Sequence, residues 1–153
     1  RKQDIINIKK KETHIEEPTL IYTSKTKQPE SAQKKGTRLF QEEKYKEALF
    51  YFEKLYSSKD LKDEERKKIN YLKANALFQI GDYQKAQNIL EGLIKNKNPV
   101  GDDALVLLGM IYKKGGDKKK ALELFTQILN EYPNSEFIES AKIQKRILSN
   151  NKK

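Results

Sequence analysis

The sequence predicts an all-α chain of stacked helix pairs, and three observations carry that prediction. From Pro29 nearly to the end, apolar residues recur at i, i+3, i+4 and i+7, the spacing of one helix face. A glycine precedes an alanine by 12 positions in two places, Gly36 with Ala48 and Gly109 with Ala121. Ala48, Ala86 and Ala121 are then separated by 38 and 35 residues, so one structural unit is repeated. The expected repeats span about residues 29–60, 61–99 and 100–134, and a capping helix spans 136–149.

Residues 1–28 differ in kind from the rest. They mix charges with Ile5, Ile6, Ile8 and Ile15 and hold a short β-prone run at residues 19–23, but sustain neither helical nor strand periodicity. We read them as a polar arm or tether preceding a domain over 29–153. The first repeat begins at Pro29, suited to a first helical turn, with Ala32, Gly36, Leu39 and Phe40 on one face and an end near Glu43. Its second helix carries Tyr45, Ala48, Leu49, Phe52, Leu55 and Tyr56. In the second repeat, Asp60 is a candidate cap, and Ile69, Leu72, Ala74, Leu77 and Phe78 form the first helix. Gly81-Asp82-Tyr83 makes the turn, and Ala86, Leu90, Leu93 and Ile94 form the packing face of the next helix.

The third repeat is the most regular. Leu105, Leu108, Gly109 and Tyr112 lie on one helix face, and Ala121, Phe125, Ile128 and Leu129 on the next. Gly109 and Ala121 let the backbones approach while Leu108, Tyr112 and Phe125 fill the space around them. Gly116 is placed to take the left-handed conformation that ends one helix, and Asp117 to cap the other. The order Leu105, Leu108-Gly109, Tyr112, Gly116-Asp117, Ala121, Phe125, Pro133 resembles the tetratricopeptide repeat, whose period is about 34 residues. The resemblance extends over about residues 29–149. It implies a right-handed α-solenoid of three helix pairs, in which Glu43-Lys44 replaces the Gly-Asp turn of the first repeat and Lys35 stands where leucine is expected. It also implies a binding scaffold instead of an enzyme.

Composition is consistent with that class. A chain of 153 residues suffices for one domain with a real core, and the absence of Cys excludes disulfides and thiolate metal sites. The formal charge is +10, built mostly from Lys, with only Arg1, Arg38, Arg66 and Arg146 as guanidinium groups. A basic module binding nucleic acid or an anionic membrane is the alternative function, through Lys9-Lys10-Lys11, Lys67-Lys68 and Lys118-Lys119-Lys120. Interspersed Asp and Glu and the scarcity of Arg favour a solvated basic surface instead. The single histidine, His14, lies in the polar arm with no second histidine and no thiol to complete a metal site or a nucleophilic dyad, so no catalytic, metal or cofactor residues are assigned.

In such a stack the first helix of each pair lines the concave side. By position within the repeat, Gln33, Thr37, Phe40 and Gln41, then Lys68, Tyr71, Asn75 and Phe78, then Val106, Met110, Lys113 and Lys114 should face the groove. Gln33 and Thr37 stand where chaperone-binding members of the family carry a Lys and Asn carboxylate clamp, so that clamp is not expected. An apolar and aromatic centre with a basic edge suits a protein or peptide offering apolar and acidic side chains. Phe50 lies opposite the packing stripe of its helix and points outward. We expect the arm to cover Phe50 or the groove, in its own chain or a neighbour's.

The junction at residues 129–135, followed by a helix with Ala141, resembles those of bacterial envelope proteins, namely the lipoprotein component of outer-membrane β-barrel assembly and periplasmic cell-division coordinators. That implies an adaptor in the periplasm or associated with the envelope membrane, the alternative being a cytoplasmic scaffold. No run approaches the roughly 18 apolar residues of a membrane span. The chain begins at Arg1, so an upstream signal, lipid anchor or further domain is compatible with it.

Overall fold

The computed structural model describes residues 30–95 and 98–150. Among them lie seven α-helices and no strand: α1 (Ala32–Gln41), α2 (Tyr45–Tyr56), α3 (Asp63–Gln79), α4 (Tyr83–Leu93), α5 (Gly101–Lys114), α6 (Lys118–Glu131) and α7 (Ile138–Asn150). Each helix packs chiefly on its neighbours in sequence, and α3 also touches α5, so the architecture is an all-α solenoid of three helix pairs closed by α7. The arm expected over residues 1–28 and His14 lie outside the described residues.

The three intra-pair turns share one backbone geometry. Gly81 and Gly116 adopt φ of 86° and 83°, as the Gly-Asp pattern predicts. The following aspartates cap the next helices, Asp82 Oδ1 accepting from Lys85 N at 3.4 Å and Asp117 Oδ1 from Lys120 N at 3.1 Å. In the first pair Glu43 takes the same left-handed conformation at φ 60°, and Lys44 makes no capping bond. This geometry is why α1 stops at Gln41, short of the expected end near Glu43.

Inside each pair, one small residue on the first helix faces one large residue on the second. A Cβ built on Gly36 would lie 2.8 Å from the Phe52 ring, and one on Gly109 would lie 2.9 Å from the Phe125 ring tip. In the middle pair Ala74 takes the glycine position and Leu90 the phenylalanine position, and both are fully buried. The position of Leu108 is held by Lys35 and Lys73 in the earlier repeats. Both lysines are half-buried and place their ammonium groups over aromatic rings, Lys35 at 4.9 Å from Tyr51 and Lys73 at 4.5 Å from Tyr56.

The extra length of the first spacing lies in α3, 17 residues against 14 for α5, and the junction before it departs from expectation. Asp60 does not cap α3; the Glu65 carboxylate instead accepts from Lys62 N at 3.1 Å, satisfying a donor at the helix start. The loop before it is held by Arg66, which donates to the carbonyls of Tyr56 at 2.7 Å, Ser58 at 3.2 Å and Leu61 at 3.4 Å while lying over the Tyr56 ring. The buried core falls into two clusters. Leu39, Ala48, Phe52 and Ile69 form the smaller one, and the larger runs from Ala74 to Leu148.

Candidate protein-binding groove

The groove is built from α3, α5 and α7. On α5, Val106, Met110 and Lys113 succeed one another at helical spacing and share one face. Together with Phe78 of α3, Lys114, Phe125 and the α7 residues Ser140 and Gln144, they line a cavity of about 410 Å³. Five of the expected groove residues are therefore brought together: Phe78, Val106, Met110, Lys113 and Lys114. Phe78 is half-buried against the Tyr83 ring, with centroids 5.4 Å apart, and still contributes to the wall. Lys113 crosses to α7, its ammonium donating to Gln144 Oε1 at 2.7 Å, and Lys114 lies 5.6 Å from the Tyr83 ring centroid.

The remaining expected residues divide. Lys68 and Gln41 are exposed on α3 and α1. Phe40 is drawn into the smaller core cluster, edge-on to Tyr45 at 5.1 Å, so it is chiefly a packing residue. Tyr71 is half-buried against the larger core and is bonded to Asn75, which also accepts from Gln79 Nε2 at 3.4 Å. Burial, then the neighbouring Asp103, pushes the Tyr71 hydroxyl up to about 12. The Asp103 carboxyl is itself raised to about 6, first by burial and then by Asp102 and Glu136. The groove thus has an acidic end that was not anticipated, as well as the basic one that was. Phe50 does point outward, 62 % exposed, with the Tyr51 ring 5.4 Å away edge to face.

The expected capping helix is present as α7, with Ala141 and Leu148 buried, but Ile143 and Ile147 on the same helix are 47 % and 40 % exposed. The register explains this. Ala141 and Leu148 repeat Ala104 and Ile111 at a spacing of 37 residues, so Ile143 and Ile147 fall where Val106 and Met110 stand on α5. They share a helix face with Ser140 and Gln144 of the cavity wall. With Met110 at 43 %, three of the four exposed large apolar side chains among the described residues belong to this one surface.

A second cavity, about 430 Å³, lies between α4 and α6 and is lined by Glu91, Ile94, Lys95, Tyr112, Lys120 and Gln127 among others. Two of its polar groups, Glu91 and Tyr112, already bond each other. The Tyr112 hydroxyl donates to Glu91 Oε1 at 2.5 Å, Gln87 donates to both, and Lys120 lies 4.8 Å from the Tyr112 ring centroid. Those bonds, from Tyr112 first and then Gln87, hold the Glu91 carboxyl below its ordinary value, and the bond to Glu91 raises Tyr112 to about 12. Tyr112 is therefore half polar anchor and half packing residue. We regard this cavity as a packing seam and the α3–α5–α7 surface as the better candidate, since only the latter leaves large apolar groups in water.

Among the described residues no helix is long and apolar enough to cross a membrane, and no group of His, Cys, Asp or Glu is arranged to hold a metal. No curated protein matches the chain. Residues 41–100 match the family model of the anaphase-promoting complex, cyclosome, subunit 3. Residues 103–135, the third helix pair whose spacing carried the resemblance, match the tetratricopeptide repeat, and the chain is in that stretch similar to a class of protein-interaction repeats.

Proposed function

We propose that the protein is a non-enzymatic adaptor that holds a segment of another protein on the α3–α5–α7 surface. The observation that carries this reading is the concentration of Met110, Ile143 and Ile147 in water on one face, beside a cavity walled by Phe78 and Val106. The repeat-family matches support it, since such repeats generally mediate protein–protein binding. Basic charge favours nucleic acid less, because Lys67, Lys85, Lys120 and Lys142 are paired with acidic neighbours on their own helices or at the caps that begin them. The bacterial envelope is the location we propose, on the strength of the junction at residues 129–135; fractionation of cells with an antibody to the chain tests it.

The groove is tested by affinity capture from native extract with the full chain and with Met110→Glu and Ile147→Glu. Both positions are exposed, so the fold should survive, whereas Tyr71 is packed against the core and is a poor choice. A specific protein captured by the wild type and lost with both variants supports the reading; capture unchanged by either overturns it. Added salt separates the alternative: nucleic-acid affinity falls steeply with salt, while binding to an apolar groove changes little.

A further inference from the structure

The groove has unlike ends. At the start of α5, Asp102 and Asp103 stand with Glu136 close enough for all three to act on Tyr71. Among the described residues no ion pair holds any of the three carboxylates. At the end of α5 stand Lys113, bonded only to the neutral Gln144 amide, and Lys114. From Asp103 to Lys113 is ten residues of helix, about 15 Å along its axis. Between the charges, Val106 and Met110 on α5 and Phe78 on α3 wall the cavity with Ser140 of α7, and Ile143 and Ile147 stand exposed on the same face of α7 as Ser140.

A ligand bridging both ends in extended form, at about 3.3 Å per residue, needs four to five residues to do so. A helix would need about ten for the same span. Building on the adaptor reading above, we propose that the occupant is an extended protein segment with a Lys or Arg at one end and an Asp, Glu or terminal carboxylate at the other. The two charges stand four to five positions apart, in either chain direction, with apolar side chains between them. The basic group meets Asp103, Asp102 and Glu136; the acidic group meets Lys113 and Lys114. Arg is the better fit at the acidic end, because its planar fork engages carboxylates in pairs. The apolar side chains bury against Met110, Ile143 and Ile147. Unlike charges at the two ends also select against segments bearing one sign of charge throughout.

A displayed library of random twelve-residue peptides, selected against the full chain, tests this directly. Peptides whose binding is lost on Met110→Glu should share the basic, apolar, acidic pattern at that spacing. Asp103→Asn should weaken them at least tenfold, as should Lys113→Gln, and replacing the peptide's own Lys or Arg by Gln should make the Asp103→Asn effect disappear. Each variant is first checked for a cooperative thermal transition. Peptides that depend on Met110 but lack the paired charges, or that ignore Asp103→Asn and Lys113→Gln, would overturn the charge pattern and leave the groove standing. If no selected peptide depends on Met110, the adaptor reading itself falls.

Discussion

Glu43 occupies the left-handed conformation that glycine holds at both equivalent turns, a strain of about 1 kcal/mol for a residue with a Cβ. Glu43→Gly should therefore stabilise the chain by about 0.5 kcal/mol after the flexibility it adds to the unfolded state is subtracted. Lys44→Asp, restoring the cap of the other pairs, should add about 1 kcal/mol. Chemical denaturation of the two variants and their combination checks both. Arg66 works in the opposite sense, since its three carbonyl contacts and its stacking on Tyr56 order the loop between α2 and α3. Arg66→Ala should cost about 2 kcal/mol, and Arg66→Lys should recover only part of that, because an ammonium cannot span three acceptors in one plane. The Glu43 strain could be foreseen from the missing Gly-Asp pattern. The role of Arg66 could not, because nothing in a charged run such as residues 60–68 indicates which side chain folds back onto the preceding loop.

At the scale of elements, each pair is set by a matched small and large residue: Gly36 with Phe52, Ala74 with Leu90, Gly109 with Phe125. The ring of a phenylalanine reaches the facing helix and leaves no room for a methyl group; the shorter leucine does. Gly109→Ala should then destabilise by about 1–3 kcal/mol, and Phe125→Leu should lose packing by itself. The two together, which copy the middle pair, should be less harmful than the sum of the singles, with a coupling of about 1 kcal/mol in a double-mutant cycle. Additive costs would show that the match is coincidental. The helices and the Gly–Ala offsets were legible in the sequence because both rest on local period and fixed spacing, whereas the ring that faces each glycine, Phe52 or Phe125, shows only in the packing. The outward turn of Ile143 and Ile147 was not, because apolar residues on a capping helix look alike until its 37-residue register fixes which of them face the stack. The Glu91–Tyr112 bond was equally hidden, since it joins side chains 21 residues apart.

For the whole molecule, charge placement makes stability depend on pH. Asp103, facing Asp102, Glu136 and Tyr71, has a folded-state pKa of about 6 against an ordinary 3.8. A raised folded value means that its neutral form is favoured by folding. The contribution is fully present below pH 3.8 and is lost as pH climbs through 6. Asp103→Asn should therefore flatten the stability profile between pH 4 and 6. At pH 7 it should raise stability by about 1 kcal/mol, once solvent screening of a half-exposed carboxyl is allowed for. Thermal melts across that range check it, and an unchanged slope would count against the assignment. A carboxylate kept in place at such a cost suits a group awaiting a cation.

The division of the interior into two clusters has a dynamic consequence. Only four fully buried residues anchor the smaller one, and the strained Glu43 turn belongs to the same helix pair. In a linear stack each unit is held mainly by its neighbours, so α1 and α2 should open while α4 to α7 remain folded. Amide hydrogens of α1 and α2 should exchange with solvent ahead of those in α5 and α6, and the calorimetric enthalpy of melting should exceed the van't Hoff value. The molecule would then behave as a rigid C-terminal platform with a hinged leaf at its other end, able to present Val106, Met110, Ile143 and Ile147 in fixed register while the first repeat breathes.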